Sequence, residues 1–455
     1  MSANLLSLLN VGASGIAAQN AGVAVATNNV ANANTQGYSR ETVTFNSLEG
    51  PPTLDGVTTS DPSRVASELL DGQMRSANGS LSMSTSSSSA LTALQSSMTA
   101  GSTIDTQLAS LFASISQANA SPSDSTTRDA VVQSVENVVT SVHDEASAVS
   151  EAQSQANDRI DDNVTQASQL AAELAAANQQ VAQGNDPTAL DNRDQIASQL
   201  SALVGGTATV GANGQMRYVL DGGAVLVDGS NAATLQTTTN STTGFSDVEV
   251  VDGNDTRDVT AQIGGGSIGA DLQFRDGTAA TAATQLDQLA YDIATSFNTV
   301  STQNAALDGT TGHSMFVAPT QVQGAAASLA IDPSLAADSN NLALAAPGGG
   351  DGDNTGGLAL FALANQTVAS GGTQTLTDAS LSVLGNIGTA TQNANNDVTR
   401  DQTVSSNLSS LSDSLSGVDT NDELTNLSVF QNTSQAMTKF VSTINDMLSN
   451  LIETL

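Results

Sequence analysis

A chain of 455 residues with 39% hydrophobic residues and 38 glycines has the apolar content of folded proteins, so general disorder is excluded, and its length accommodates roughly three domains. Aromatic residues make up only 3% and tryptophan is absent, which leaves Ala, Val, Leu and Ile to build slim, closely packed helices and argues against a bulky enzyme core. The net charge of −34, with Lys439 the only lysine, repels nucleic acid and anionic lipid, so neither is expected as a partner.

The first residues, MSANLLSLLNVGASG, lack a basic region, and Ser7 and Asn10 break their apolar run, so no cleavable secretory signal is expected. Leu5, Leu9, Gly12, Ile16, Gln19, Val23, Ala26 and Val30 then alternate four and three apart, the spacing of one helix face. The helix ends in NNVANANTQGYSRE, residues 28 to 41, with four asparagines and no charge before Arg40. Asparagine is poor inside a helix because its amide competes for backbone hydrogen bonds, yet it caps ends and accepts left-handed geometry. Asn28 and Asn32 share a face, Ala31 and Ala33 keep the surroundings thin, and Gly37 is a natural left-handed stop. Tyr38 to Phe45 reads as an extended segment with Val43 and Phe45 on one side. The whole suits a helix-to-strand joint wedged among neighbours and satisfied by amides.

Residues 80 to 120 carry Leu91, Leu94, Met98, Ile104, Leu108, Leu111 and Ile115 at loosely helical intervals. A longer helical pattern fills 126 to 184 and stops at Gly184 and Pro187. The segments GTATVGANGQMRYVLDGGAVLVDGS and FSDVEVVDG alternate β-branched residues with glycine-containing turns, which predicts a β-rich insertion over 203–263. Helical spacing returns at Leu286, Leu289, Ile293, Phe297 and Val300, and an irregular, loop-rich stretch covers 308–356. Helices resume from Leu358 and lead to the last seam, in which Leu427, Phe430, Ser434, Met437, Val441, Ile444, Leu448, Leu451 and Leu455 keep a strict three-four alternation with only Ser434 polar. Such a stripe can be the core of an ordinary bundle. Its position at a chain end, matched by the stripe at the other end, predicts instead that the two terminal helices pair as a coiled coil and close on neighbouring copies.

Chemistry-bearing patterns are sparse. Gly264, Gly266 and Gly269 fit GxGxxG with Asp287 downstream, and Gly265, Ser267 and Gly269 fit GxSxG, but neither lies in the strand-turn-helix context those motifs need, so a turn is expected. His143 and His313 are far apart with no paired spacing. Asp351, Asp353 and Gly356 resemble the start of a calcium loop, but Ala362 stands where its bidentate glutamate belongs. NDPTALDNRDQ, residues 185 to 195, reads as a helix start with acids at its positive end and Arg193 paired locally. No cysteine is present, which removes disulfides and thiolate metal sites. No run of about 18 apolar residues occurs, so no membrane span is expected. No catalytic residue, metal or cofactor is assigned.

The run NNVANANTQGY resembles the N-terminal signature of the axial proteins of the bacterial flagellum, and its continuation Tyr38, Ser39 and Arg40 looks like the family of the first hook-associated protein. LDNRDQIASQLS (190–201), IGADLQFRDG (268–277), LDQLAYDIATSFNTV (286–300), IDPSLAADSNNLALAAPGG (331–349) and SGVDTNDELTNLSVFQNTSQAMTKF (416–440) extend the likeness from end to end. The resemblance implies a non-enzymatic structural protein, exported unfolded through the flagellar type III apparatus without a cleaved signal. It would be extracellular, in a ring that joins hook to filament. Implied partners are copies of itself, the hook protein, the second junction protein (hook-associated protein 3) and a cytoplasmic export chaperone. By match, Asn28, Asn29, Asn32, Asn34, Thr35, Gly37, Tyr38, Ser39 and Arg40 form the axial signature. Leu427, Phe430, Met437, Val441, Ile444, Leu448, Leu451 and Leu455 form the helix for assembly and chaperone binding, and Leu5, Leu9, Ile16, Val23 and Val30 the N-terminal seam. Asn432, Thr433 and Ser434 depart from the family's pattern.

The expected architecture is mainly α, an elongated multi-domain helical bundle with a β-rich insertion. Its parts are a terminal helical domain of 1–60 and 401–455, implied to be disordered in the monomer, a long-helix bundle of 61–202, 264–307 and 357–400, a β-rich outer domain of 203–263, and the insertion 308–356. Another axial protein, or an enzyme or adhesin carried on an axial scaffold, are the alternatives.

Overall fold

The computed structural model describes residues 2–35, 37–50, 53–184 and 186–453; Gln36 of the signature, Asn185 and Leu455 lie outside them. The fold is mainly α with small antiparallel sheets inserted. No helix among the described residues is long and apolar enough to cross a membrane.

Helix α1 (Ser2–Asn32) carries no charged residue. It runs into strands β1 (Glu41–Thr42), β2 (Phe45–Gly50), β3 (Thr53–Thr59) and β4 (Ser63–Arg64), where β2 pairs with β3 and β1 with β4. The bundle begins with α2 (Glu68–Met98) and α3 (Ile104–Ala120), followed by the long α4 (Ser125–Val181). Asp124 caps α4 by accepting from the Thr126 and Thr127 N–H groups at 2.7 and 3.3 Å, which satisfies donors that the helix cannot. The 57 residues of α4 span about 85 Å at 1.5 Å per residue. Helix α5 (Pro187–Val204) starts with proline in its first turn and the Asp186 cap on Thr188 N–H.

A β insertion follows α5. Strands β5 (Thr207–Val210), β6 (Met216–Val219), β7 (Val225–Asp228) and β8 (Asn231–Ala232) make a four-stranded meander, and β9 (Thr234–Thr239), β10 (Ser246–Asp252) and β11 (Asp255–Asp258) a three-stranded sheet ordered β11-β10-β9. Along β10, Ser246, Val248 and Val250 are buried and the residues between them are not, the period-two pattern of a sheet with one covered face. GGGSIG opens α6 (Gly266–Gln273) rather than forming a turn. Gly266 has φ 66° and a Cβ there would collide with the Leu203 backbone, so its glycine serves the close passage of two chain segments. A π-helical turn, Phe274–Ala279, joins α6 to α7 (Ala280–Ser301).

Beyond α7 the chain is irregular, with short α8 (Ala325–Ser328) and α9 (Pro333–Ala337), then α10 (Thr355–Ala362), α11 (Leu376–Ser416) and α12 (Thr420–Glu453). The irregular stretch is held by buried polar side chains. Asn298 accepts from the Met315 and Phe316 N–H groups at 2.9 Å each and donates to Phe316 O at 2.8 Å. Buried Arg128 donates to the carbonyls of Pro122, Ser339 and Leu342. Met315, Phe316, Leu342 and Leu344 thereby line the first of two hydrophobic cores.

Helix α4 passes through both cores, with Val131 to Ala156 in the first and Ile160 to Ala177 in the second, where α5, α6 and the sheets pack. The cores meet at a polar belt. Arg275, on the π turn, donates to Asn157 Oδ1 at 2.8 Å and Ser246 O at 2.9 Å, pairs with Asp276, and lies 5.2 Å over the Phe245 ring. Arg159 pairs with buried Asp271 at 2.6 Å. A π turn inserts one residue into a helix and rotates the residues beyond it; here it aims Arg275 at the sheet.

Candidate assembly interface and its joint

Helices α1 and α12 run antiparallel. Positions 12, 15 and 22 of α1 meet Val441 with Phe440, Met437, and Phe430 in turn, and Ser434 Oγ lies 3.4 Å from Asn20 Oδ1. The helices approach closely at glycine: a Cβ on Gly12 would stand 2.5 Å from Val441 Cγ2, and one on Gly22 would stand 3.1 Å from three atoms of the Phe430 ring. The predicted α12 residues Leu427, Phe430, Met437, Val441, Leu448 and Leu451 are half-buried and Ile444 is buried. On α1 the predicted Leu5, Leu9, Ile16, Val23 and Val30 are all half-buried, while the fully covered positions are Gly12, Gly15, Ala18, Gly22, Val25, Ala26 and Asn29. Sequence reasoning that weighs hydrophobicity therefore undervalues the small residues, whose recurrence at three- and four-residue spacing was the available signal. The other flank of α1 holds the β2–β3 hairpin through the Val57 N–H donated to Ser14 Oγ at 3.1 Å.

Replacing Gly22 by leucine is expected to force α1 and α12 apart, since the Phe430 ring fills the site from which the new side chain would grow. Amide hydrogen exchange should accelerate along both helices and stay unchanged in α4. Equal protection in the variant would mean that the pair tolerates a wider spacing.

The signature residues form the joint between this pair and the bundle. Asn29 is fully buried and acts as a substitute strand: its Nδ2 donates to Glu41 O at 2.9 Å, and its Oδ1 accepts from Glu41 N–H and from Tyr38 Oη, both at 2.8 Å. Asn28 Nδ2 reaches Glu41 Oε2 at 3.2 Å, and Asn32 bonds back to Asn28 Oδ1 at 2.9 Å. Thr35 Oγ1 donates to Asn32 Oδ1, Asn34 is exposed, and Gly37 turns the chain at φ 81°. Burial, with the Glu41 carboxylate nearby, pushes the Tyr38 hydroxyl well above its usual range, so it remains a donor. Burial also raises Glu41, against the Asn28 hydrogen bond that stabilises its charge.

Ser39 and Arg40 tie the joint down. Asp191 on α5 accepts from Ser39 N–H at 3.0 Å, Ser39 Oγ at 2.9 Å and Arg64 Nη1 at 2.9 Å. Arg40 donates its N–H to Ser416 O and its guanidinium lies 4.0 Å from Glu423 at the start of α12. Asp194, one turn along α5 from Asp191, gathers Arg64 at 2.5 Å, Arg193 at 2.7 Å and Arg75 at 3.9 Å. The carboxylates of NDPTALDNRDQ thus do more than start a helix. They bind the N-terminal joint across a long separation in sequence, a role that the i, i+3 placement of Asp191 and Asp194 on one face hinted at. A cavity of about 580 Å³ opens here between Tyr38, Arg64, Asp191 and the end of α11.

Most of the remaining chemical candidates have structural occupations. Asp287 accepts from Gly324 and Ala326 N–H groups. Asp353 accepts from Ala346 N–H and caps Thr355, and no group of three metal-ligating side chains occurs among the described residues. His143 sits half-buried on α4, and His313 Nε2 bonds to Thr310 Oγ1 in a surface loop.

A family model for the helical domain of flagellar hook-associated protein FlgK matches residues 91–316, and one for the flagella basal body rod protein matches residues 9–38. Flagellar hook-associated protein 1 of Escherichia coli K12 is 24% identical over 98% of this chain and 99% of its own length. The protein of that name from Bacillus subtilis 168 is 24% identical over 96% of both chains, and that of Salmonella typhimurium 26% identical over 68% of this chain and 59% of its own. The Escherichia coli alignment runs over 556 residues, so that relative carries insertions absent from these 455. Among solved structures, the flagellar hook junction protein FlgK from Burkholderia pseudomallei superposes with a TM-score of 0.68 at 16% identity, covering 76% of this chain and all of that one. That likeness is one of fold.

Proposed function

Since the chain belongs to the flagellar hook-associated protein 1 family, whose members are structural proteins of the flagellum rather than enzymes, we propose that it forms the junction between hook and filament. Copies assemble into a ring through α1 and α12, after export by the flagellar type III route without a cleaved signal. The hook protein lies on one side of the ring and hook-associated protein 3 on the other. Before export, the apolar face of α12 is held by a cytoplasmic chaperone.

One observation carries this reading. Among the described residues, eleven of the sixteen large hydrophobic side chains left exposed lie within 1–60 and 401–455, including Leu6, Leu411, Val429, Met447 and Ile452. Six of the eleven, Leu6, Leu424, Val429, Phe440, Met447 and Ile452, lie on α1 and α12 and the others on β2 and α11; a partner that covers them gains about 25 cal/mol per Å² of apolar area removed from water. Folding of the pair is then coupled to association: marginal in one copy, firm when neighbours crowd round it.

Deleting residues 424–455 tests the proposal. The truncated protein should keep the cooperative unfolding of its bundle, whose two cores lie elsewhere, yet fail to enter flagella and fail to bind the chaperone. Restored motility with the truncated chain would refute it.

A further inference from the structure

The distribution of charge sets the helical pair apart from the rest of the molecule. Helix α1 has no charged residue, and α12 from Leu424 to Ile444 has Lys439 alone, while the chain as a whole carries −34. The few cations are already engaged inside the chain. Arg64, Arg75 and Arg193 converge on Asp194, Arg159 on Asp271, Arg275 on Asp276, and Arg128 on backbone carbonyls. Among the described residues, Lys439 is the one cation whose side chain meets no carboxylate or carbonyl, and it lies on the exposed side of α12 beside Phe440.

Two copies meeting through this pair bring together nearly neutral, apolar faces and large acidic bodies whose few exposed arginines, Arg217, Arg257 and Arg400, are far outnumbered by carboxylates. Attraction between such faces is short-ranged, because it requires removal of water from the contact. Repulsion between the bodies reaches one Debye length, about 30 Å at 0.01 M salt and about 3 Å at 1 M. The first distance spans a whole helical layer and the second hardly exceeds contact.

We propose that self-association through the outer face of α12, marked by Val429, Phe440 and Met447, is gated by ionic strength: a second copy of this chain docks there only when mobile cations screen the acidic bodies. The occupant is a second copy because the one charge beside this face, Lys439, can meet the surplus acid of an identical chain, and because the face continues the seam already made with α1. This inference rests on the assembly proposed above and adds its regulation.

Sedimentation velocity of the full chain in NaCl from about 0.01 to about 1 M tests it. The expected result is monomer at the low end and oligomer at the high end, with at least about a tenfold fall in the apparent dissociation constant. The midpoint should be the same in sodium perchlorate, since screening depends on ionic strength and not on the anion. Lys439→Glu should move the midpoint to higher salt without loss of helix content. An oligomer distribution that ignores salt, one that follows the order of the anions, or a K439E variant with an unmoved midpoint would each overturn the gate while leaving the assembly reading intact. Monomer at every salt concentration would instead overturn the assembly reading, and the gate with it.

Discussion

Replacing Asp194 by alanine is expected to destabilise the protein by about 3–5 kcal/mol, the range for removing one partner of a buried charged set. Arg193, at 2.7 Å, and Arg75, at 3.9 Å, lose their carboxylate, and Arg64 loses one of two, keeping Asp191 at 2.9 Å. Their side chains are mostly covered, so water reaches them only from the cavity at the joint and replaces the acid incompletely. Burial opposes the charge on Arg64, but Asp194 and Asp191 outweigh it and hold its pKa above the ordinary value, which shows how strongly the site depends on its acids. Asp194→Asn retains one acceptor oxygen and should lose less. Urea unfolding followed by circular dichroism gives the stability change, and hydrogen exchange at residues 37–64 locates it at the joint. A loss below about 1 kcal/mol, the value of an exposed ion pair, would mean that the network is solvated and contributes little.

That network also marks where reading the sequence stops. The helices of the bundle were legible because their apolar residues recur at helical spacing over long windows: Leu91 to Ile115 predicts α2 and α3, Val135 to Val181 predicts α4, and Leu427 to Leu451 predicts α12. The β insertion was legible because valines and threonines alternate between glycine turns, as in β10. The asparagine-rich joint could be recognised as a place needing amides, because buried backbone groups need partners wherever a helix gives way to a strand. Which partners it finds could not be read. Asn29 mimics a strand for Glu41, while Ser39 and Arg64 are taken by Asp191 and Asp194, and contacts over such separations leave no periodic trace. The glycine face of α1 was obscured for a related reason. Its contribution is the closeness it permits to Phe430 and Val441, a property of the partner's shape and not of the residue's hydrophobicity.

The π turn belongs to the same class of feature. Nothing in IGADLQFRDG announces an extra residue in a helical turn, yet the buried guanidinium of Arg275 reaches Asn157 and Ser246 from it and closes the gap between the two cores along α4. The two cores can be read from patterns, but the terminal pair is joined to the bundle, and the bundle to the sheets, through polar contacts built from Asp191 with Asp194 and from Arg275 with Asn157.

Glu145 supplies the second large effect, one that depends on pH. It is buried on α4 and its Oε1 accepts the Ile104 N–H at 3.0 Å, capping α3 from a neighbouring helix where Thr103 makes no side-chain cap. Its Oε2 and Asp105 Oδ1 are both buried without a hydrogen-bond partner. Burial, opposed by the Ile104 N–H and reinforced by Asp105, raises its pKa from 4.5 to about 7. A carboxyl whose folded-state pKa lies above the unfolded one contributes stability that is complete below the unfolded value and is lost as pH rises through the folded value. By pH 8 the ionised group therefore burdens the fold by on the order of 3 kcal/mol, at 1.36 kcal/mol per pKa unit. Glu145→Gln keeps an oxygen for Ile104 and cannot ionise. It is expected to stabilise the protein by about 3 kcal/mol at pH 8 and by only about 1 kcal/mol at pH 5, where the native carboxyl is still protonated and the unfolded one is partly ionised. Urea unfolding of both proteins at the two pH values measures the difference. A gain independent of pH would show that the amide acts through packing or a new hydrogen bond to Asp105, and that the burial of an ionising carboxyl beneath α3 is not what limits stability in alkaline buffer.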